Sequence, residues 1–126
     1  MTGNYLDITI QRSDSILGRL TVELAISEDD ARRGLMFRRE LSSGRGMLIR
    51  NPFEGQMTIW MKDTFIPLDV MFLDADWRIT DIASGLAPES EDVRCSASDS
   101  IAAIEVAAGT VGQLGVEAGD RVYRAH

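Results

Sequence analysis

The sequence predicts a mainly β fold: a small single domain built as a sandwich or a partly closed barrel, with one or two short helices. Three observations lead there. Apolar residues recur with a period of two at Leu6, Ile8 and Ile10, and again at Leu20, Val22, Leu24 and Ile26, the spacing of half-buried strands. Turn-forming residues, among them Asn51-Pro52 and Asp74-Ala75-Asp76, punctuate the chain. Many short strands with only two small helical stretches suit a sandwich or barrel. At 126 residues the chain is one domain by size, spanning 1–126, and long enough for a single hydrophobic core.

The elements follow in order. Strands are expected over 6–10 and 20–26. Ser27-Glu28-Asp29-Asp30 then reads as a helix start; the serine can cap free amides, and the acids suit the positive end of the dipole. Gly34 ends this helix early, because it fits a left-handed C-terminal position. Further strands are expected over 46–49, 56–62, 68–73 and 78–82. The polar, mixed residues 84–100 read as a long surface loop, followed by a strand over 101–106. Thr110 and Gln113 resemble a capping box for one short helical turn ending near Gly115. Gly119-Asp120 then turns into a last strand over 121–123.

Composition narrows the partners. Apolar content of 44% and charged content of 26% are ordinary for a soluble globular protein. A net charge of -7 works against nonspecific nucleic-acid binding, which neutralises phosphates with Lys and Arg, and against docking on anionic lipid. Neither nucleic acid nor membrane is therefore expected as a partner. No apolar stretch is long enough to span a bilayer, and Met1 opens no signal-peptide pattern. The single cysteine, Cys95, has no internal disulfide partner, so the redox compartment stays open. The oligomeric state stays open as well.

The segment "WMKDTFIPLDVMF", from Trp60 to Phe72, concentrates the chemistry. It is mostly apolar yet contains Asp63, Asp69 and Lys62, the one lysine beside twelve arginines. In an extended chain Thr58, Trp60 and Lys62 share one face, and Met57, Ile59 and Met61 share the other. Asp69 begins a strand that is apolar on both sides, and Glu105 lies between Ile104 and Val106. Buried carboxylates need partners, and Lys62, Arg38 and Arg33 are the cations on offer. Two readings follow. One is a structural ion-pair cluster that fixes strand register. The other is a binding pocket with Trp60 as its apolar wall and Lys62 with Arg38 as anion-reading donors, held in place by Asp69 and Glu105.

Other chemistries fail on supply. A Ser-His-Asp or Cys-His arrangement needs a histidine, and the sequence has one, His126 at its end. Zinc sites of the Cys/His type fail for the same reason. Asp74-Ala75-Asp76 begins like a calcium loop, but Arg78 and Ile79 replace the expected ligand and glycine. Methionines at 36, 47, 57, 61 and 71 raise copper(I), yet packing inside apolar runs accounts for them. No metal, cofactor or catalytic residue is assigned. Trp77, beside a hairpin turn, reads either as an exposed anchor for a partner or as a lid over the sheet edge.

Four stretches carry a family resemblance: "RRGLMFRREL" (32–41), "GRGMLI" (44–49), "IWMKDTFIPLDVMF" (59–72) and "AAGTVGQLGVEAGDRV" (107–122). In this order and spacing the chain resembles the DUF192 family, small bacterial and archaeal proteins without an assigned biochemical activity, over about 20–122. The resemblance implies a β-rich single domain and, since many relatives are exported, a location outside the cytoplasm. It implies no reaction. The family usually has Asn where this chain has Asp63, an acid that could pair with Lys62. It also tends to have Gly where this chain has Trp77, which implies a different turn type, since Trp tolerates a positive φ poorly.

The resulting expectation is a domain that binds a small anionic or polar ligand, or a peptide segment, in a cleft of the central strands. Its candidate residues are Arg38, Trp60, Lys62, Asp69 and Glu105. The alternative is a protein-interaction or structural module with a buried ion-pair cluster and no pocket, and an enzyme ranks third.

Overall fold

The structure is a computed structural model that describes residues 4–125; Met1 and His126, on which the signal-peptide and histidine readings fall, lie outside the described residues. The elements are β1 (Tyr5–Arg12), β2 (Ser15–Ala25), α1 (Glu28–Arg33), β3 (Arg45–Arg50), β4 (Gln56–Ile59) and β5 (Leu68–Leu73), then β6 (Ile79–Leu86), β7 (Arg94–Asp99), β8 (Ala102–Ala107), α2 (Thr110–Leu114) and β9 (Arg121–Arg124). Seven strands form one sheet in the order β6-β5-β8-β3-β2-β1-β9, and β4 pairs with β7 separately. The β2–β3 pair is parallel and its connection carries α1. The other ladders are antiparallel.

The seven-stranded sheet curls until its two margins touch. Arg78 before β6 and Arg121 in β9 form one isolated bridge. Beside it the Ile79 N–H donates to the Asp120 carbonyl at 2.7 Å, and the Val122 N–H donates to the Trp77 carbonyl at 2.9 Å. The contact does not close a barrel. Arg12 of β1 reinforces the same corner: its guanidinium reaches both Asp120 carboxylate oxygens at 2.9 Å. Burial alone would raise the Asp120 pKa, but the Arg12 hydrogen bond, the Glu117 N–H and the Arg12 charge together bring it below its ordinary value.

Strand alternation divides the apolar residues between two cores. Ile8, Ile10, Leu20, Val22, Leu48, Met71, Leu73 and Ile104 belong to the inner one, with Val111 and Val122. The outer core joins Met47, Ile49, Val70, Phe72 and Ala103 to Met57, Ile59 and Met61, so β4 and the chain after it cover the back of the sheet. Strand β5, next to the β6 margin, serves both cores and is buried at all six positions, as its two-sided apolar pattern predicts.

Local differences from expectation have physical reasons. Residues 84–100 hold the end of β6 and all of β7, not a continuous loop. Of β7, RCSASD, only Ser96 is buried, so no apolar period marks it; instead the Ser96 hydroxyl accepts the Met57 N–H at 2.9 Å. β4 stops at Ile59, before the expected end at 62, because the Thr64 N–H turns back to the Met61 carbonyl at 3.0 Å. Asp63 lies within that turn at φ 55°, a conformation that Asp and Asn tolerate better than most residues. Its acid is thus explained by the backbone instead of by a bond to Lys62. Trp77 does adopt a positive φ, 62°, so the departure from glycine leaves the left-handed turn in place. Asp74 holds it, accepting the Asp76 N–H at 2.9 Å and the Arg78 N–H at 3.0 Å. The indole packs over an apolar cavity with Leu6, Ile8, Leu48 and Val122.

Candidate functional site

The start of α1 forms as the sequence suggests, with the Ser27 hydroxyl accepting the Asp30 N–H at 3.1 Å. Gly34 ends it at φ 49°, a region costly for residues with a side chain. There is a second reason for glycine: a Cβ at Gly34 would stand 3.2 Å from the Glu105 Oε1. Leu35 then enters the outer core, which lays the chain after α1 across β8.

Between that chain and β4 lies a cavity of about 430 Å³. Glu105, Ile49, Met57 and Ile59 line it from the sheet and β4, Ala31, Leu35 and Met36 from the α1 side. Phe53, Trp60 and Val93 also line it and are exposed, forming an apolar rim. The size is that of a small-molecule pocket, and the lining is mixed, with Asn51, Gln56, Thr58 and Thr64 among the apolar side chains. Arg32, Arg33 and Glu28 are its other charged residues, and Arg32 already pairs with Glu28 at 3.4 Å.

Glu105 is the unusual group. It is 6% exposed, and among the described residues no ion pair or side-chain hydrogen bond reaches it. Burial pushes its pKa from 4.5 to about 7, and the Leu35 backbone N–H opposes that rise more weakly. Near neutral pH the cavity therefore contains a carboxyl that exchanges between neutral and charged forms.

The five sequence-predicted residues do not converge. Trp60 and Glu105 share the cavity. Lys62 is exposed, its ammonium 5.2 Å from the centroid of the Trp60 ring, so it borders the rim without entering an acid cluster. Arg38 is paired with Glu23, a buried acid of β2. Asp69 projects to the other face of the sheet and accepts three backbone amides: Gly85 at 2.8 Å, Gly109 at 2.9 Å and Val111 at 3.1 Å. The expectation that Asp69 and Glu105 hold Lys62 and Arg38 in place is corrected on both counts. The acids answer to amides and to the cavity, while the cations answer to Glu23 and Trp60.

Glu23 is the partner that sequence reasoning missed. In "TVELA" it alternates with Val22 and Leu24 and so reads as the wet side of a half-buried strand, but the outer face is covered there. Replacing Arg38 with Met would strand that buried carboxylate. Breaking a fully buried pair costs about 3–5 kcal/mol; with Arg38 one-third exposed, a loss of about 2 kcal/mol is expected. Urea denaturation should show it, and Glu23→Gln in the same chain should restore most of it. Equal losses in the single and double variants would reject this assignment. Asn51 and Phe53 were missed too. The sequence marked Asn51-Pro52 only as a turn, whereas the buried Asn51 amide bonds the Ser100 carbonyl at 2.8 Å and orders the loop beside the cavity. No group of three or more His, Cys, Asp or Glu suited to a metal occurs among the described residues.

Comparison with known proteins places these features. The sequence profile of DUF192, described as an uncharacterized ACR, matches residues 8–123. A candidate transcription regulator from Sinorhizobium meliloti 1021 superposes with a TM-score of 0.92 at 33% identity, covering 98% of this chain and 96% of its own. A protein of unknown function from Novosphingobium aromaticivorans DSM 12444 gives a TM-score of 0.85 at 32% identity, over 94% and 84% of the two chains. No curated protein matches.

Proposed function

The chain belongs to the DUF192 family, and we propose that it is a binding domain that takes a small polar ligand in the cavity between α1 and β4. The observation that carries this reading is Glu105: a buried carboxyl, with a single backbone amide and no cation as partner among the described residues, lining a cavity of about 430 Å³. Burying such a group with only one backbone amide to satisfy it costs free energy. A ligand that completes its hydrogen bonding would recover part of that cost and gain specificity from it. Trp60 and Phe53 at the rim supply flat apolar surface for the body of the ligand.

The alternative, an interaction or structural module without a ligand, draws on Arg38 and Asp69, whose contacts are structural. A regulator acting on nucleic acid has less support. Helices of six and five residues are too short to serve as recognition helices, and a net charge of -7 opposes phosphate binding. The relative described as a candidate regulator does not change that balance.

A thermal-shift screen of amines, organic acids, sugars and nucleotides tests the proposal. It should be run on the parent and on Ala31→Phe, a change that fills the cavity from the α1 side. A compound that raises the parent melting temperature by several degrees and leaves the variant unmoved is expected. No stabilising compound, or equal shifts in both proteins, would favour the module without a pocket.

A further inference from the structure

The cavity is lined by one carboxyl that accepts the Leu35 backbone N–H but has no cation paired to it, and its remaining acceptor sites specify a ligand. Glu105 is more than nine-tenths buried and lines the space. No cation of the described residues pairs with it. Arg32 is engaged with Glu28 and Asp29, Arg38 with Glu23, and Lys62 lies against the Trp60 ring, while Arg33 lines the cavity, exposed and without an ion pair among the described residues. A carboxylate offers only acceptors. Its complement is therefore a donor, best a charged one, since charge-assisted hydrogen bonds are about twice as strong as neutral ones.

Resting on the ligand-binding reading above, we infer that the ligand is a small organic cation, a primary amine with a flat apolar body, whose ammonium pairs with Glu105 while its body packs under Trp60 and Phe53. The apolar residues fit the second half of such a molecule. Met36, Met57 and Ile59 line the space, and the exposed rings of Trp60 and Phe53 stand at the rim. An aromatic face there attracts cationic and flat ligands alike. The field of the whole molecule acts the same way, because a net charge of -7 draws cations and repels anions at a distance. Arg33, exposed at the end of α1 and lining the cavity, would favour an acidic substituent on the same ligand.

Binding of this kind depends on pH through the group that faces the amine. Besides Glu105, the charged residues lining the cavity are Glu28, Arg32 and Arg33. Arginines stay charged throughout, and Glu28 is exposed and paired with Arg32. Glu105, with its pKa near 7, is thus the group that titrates across neutrality. An amine, charged over the same range, meets a neutral acid at low pH and a carboxylate at high pH. Its affinity should rise about tenfold per pH unit between pH 5 and 6.5 and level off above pH 7.

Three phenyl probes of similar size decide the matter: phenethylamine, phenethyl alcohol and phenylacetate, titrated into the full chain at millimolar concentration. Protein-detected NMR would follow the Trp60 indole N–H, with calorimetry for the affinities, at pH 5.5 and 8. The inference expects the amine to bind at least tenfold more tightly than the other two at pH 8. It also expects Glu105→Gln, checked for folding by circular dichroism, to remove that preference. If the alcohol or the acid binds as well as the amine, or if Glu105→Gln binds the amine unchanged, the amine assignment is overturned while the cavity remains a binding site. If no probe binds, the flat-bodied amine is rejected, and the thermal-shift screen against Ala31→Phe decides separately whether the cavity takes a ligand.

Discussion

Replacing Glu105 with Gln is expected to stabilise the protein at pH 8 by about 3 kcal/mol and to change little at pH 4. Burial raises the folded-state pKa of Glu105 from 4.5 to about 7. A group raised on folding binds its proton more tightly in the native state, so its contribution is fully present below pH 4.5. It is lost as pH rises toward 7, where the folded protein must accept a buried charge. At about 1.4 kcal/mol per pH unit, the gap amounts to about 3 kcal/mol. Glutamine is close in shape and neutral at every pH, so it escapes the loss. Urea denaturation from pH 4 to 9 should show the parent weakening between pH 4.5 and 7 and the variant flat by comparison. Parallel curves for the two proteins would mean that Glu105 is solvated or paired in solution, and the ligand argument would lose its foundation.

Asp69→Ala is expected to give the largest loss, about 3–5 kcal/mol. Asp69 is 2% exposed and its two oxygens accept the Gly85, Gly109 and Val111 amides. Leaving a buried donor without an acceptor costs about 1–3 kcal/mol, and hydrogen bonds to a charged acceptor are at the strong end. Nothing local replaces it. Gly109 at the N-cap of α2 has no side chain, and the Thr110 hydroxyl donates away to the Ala107 carbonyl at 2.7 Å. A five-residue helix has no stability of its own. Native-state hydrogen exchange should show the Gly109 and Val111 amides losing protection before those of β3. A total loss under about 1 kcal/mol would show that water replaces the carboxylate.

The same residue shows what a sequence conveys and what it hides. Asp69 was recognisable as a buried acid because β5 is apolar on both faces, yet its partners lie 16, 40 and 42 residues away. The Thr110–Gln113 pattern suggested a capping box, but the cap comes from another strand. Strands with an apolar period, β1, β2, β3, β5 and β8, were readable in position and facing. β7 was not, because its ladder is held by a serine and backbone groups. At the site, Trp60 and Glu105 stood out as polar or amphipathic groups in apolar runs. Lys62 stood out in the same way and lies in solvent, because β4 ends at Ile59 and Lys62 falls in the turn that follows. Glu23 did the reverse, being polar on a face that looked open and was covered. Alternation tells which residues share a side. It does not tell what covers that side.

The meeting of Arg78 with Arg121 also bears on how copies of the chain treat one another. A sheet with two long free margins invites another molecule to add a strand and start a polymer. Here β6 is shielded along part of its length by β7, whose Ala97 N–H reaches the Asp81 carboxylate at 2.9 Å. The other margin, β9, is only four residues long with arginine at both ends. A neighbour docking there would find few free amides and would have to bring its own β9 arginines against these. The chain thus resists edge-to-edge assembly through shortness and like charge.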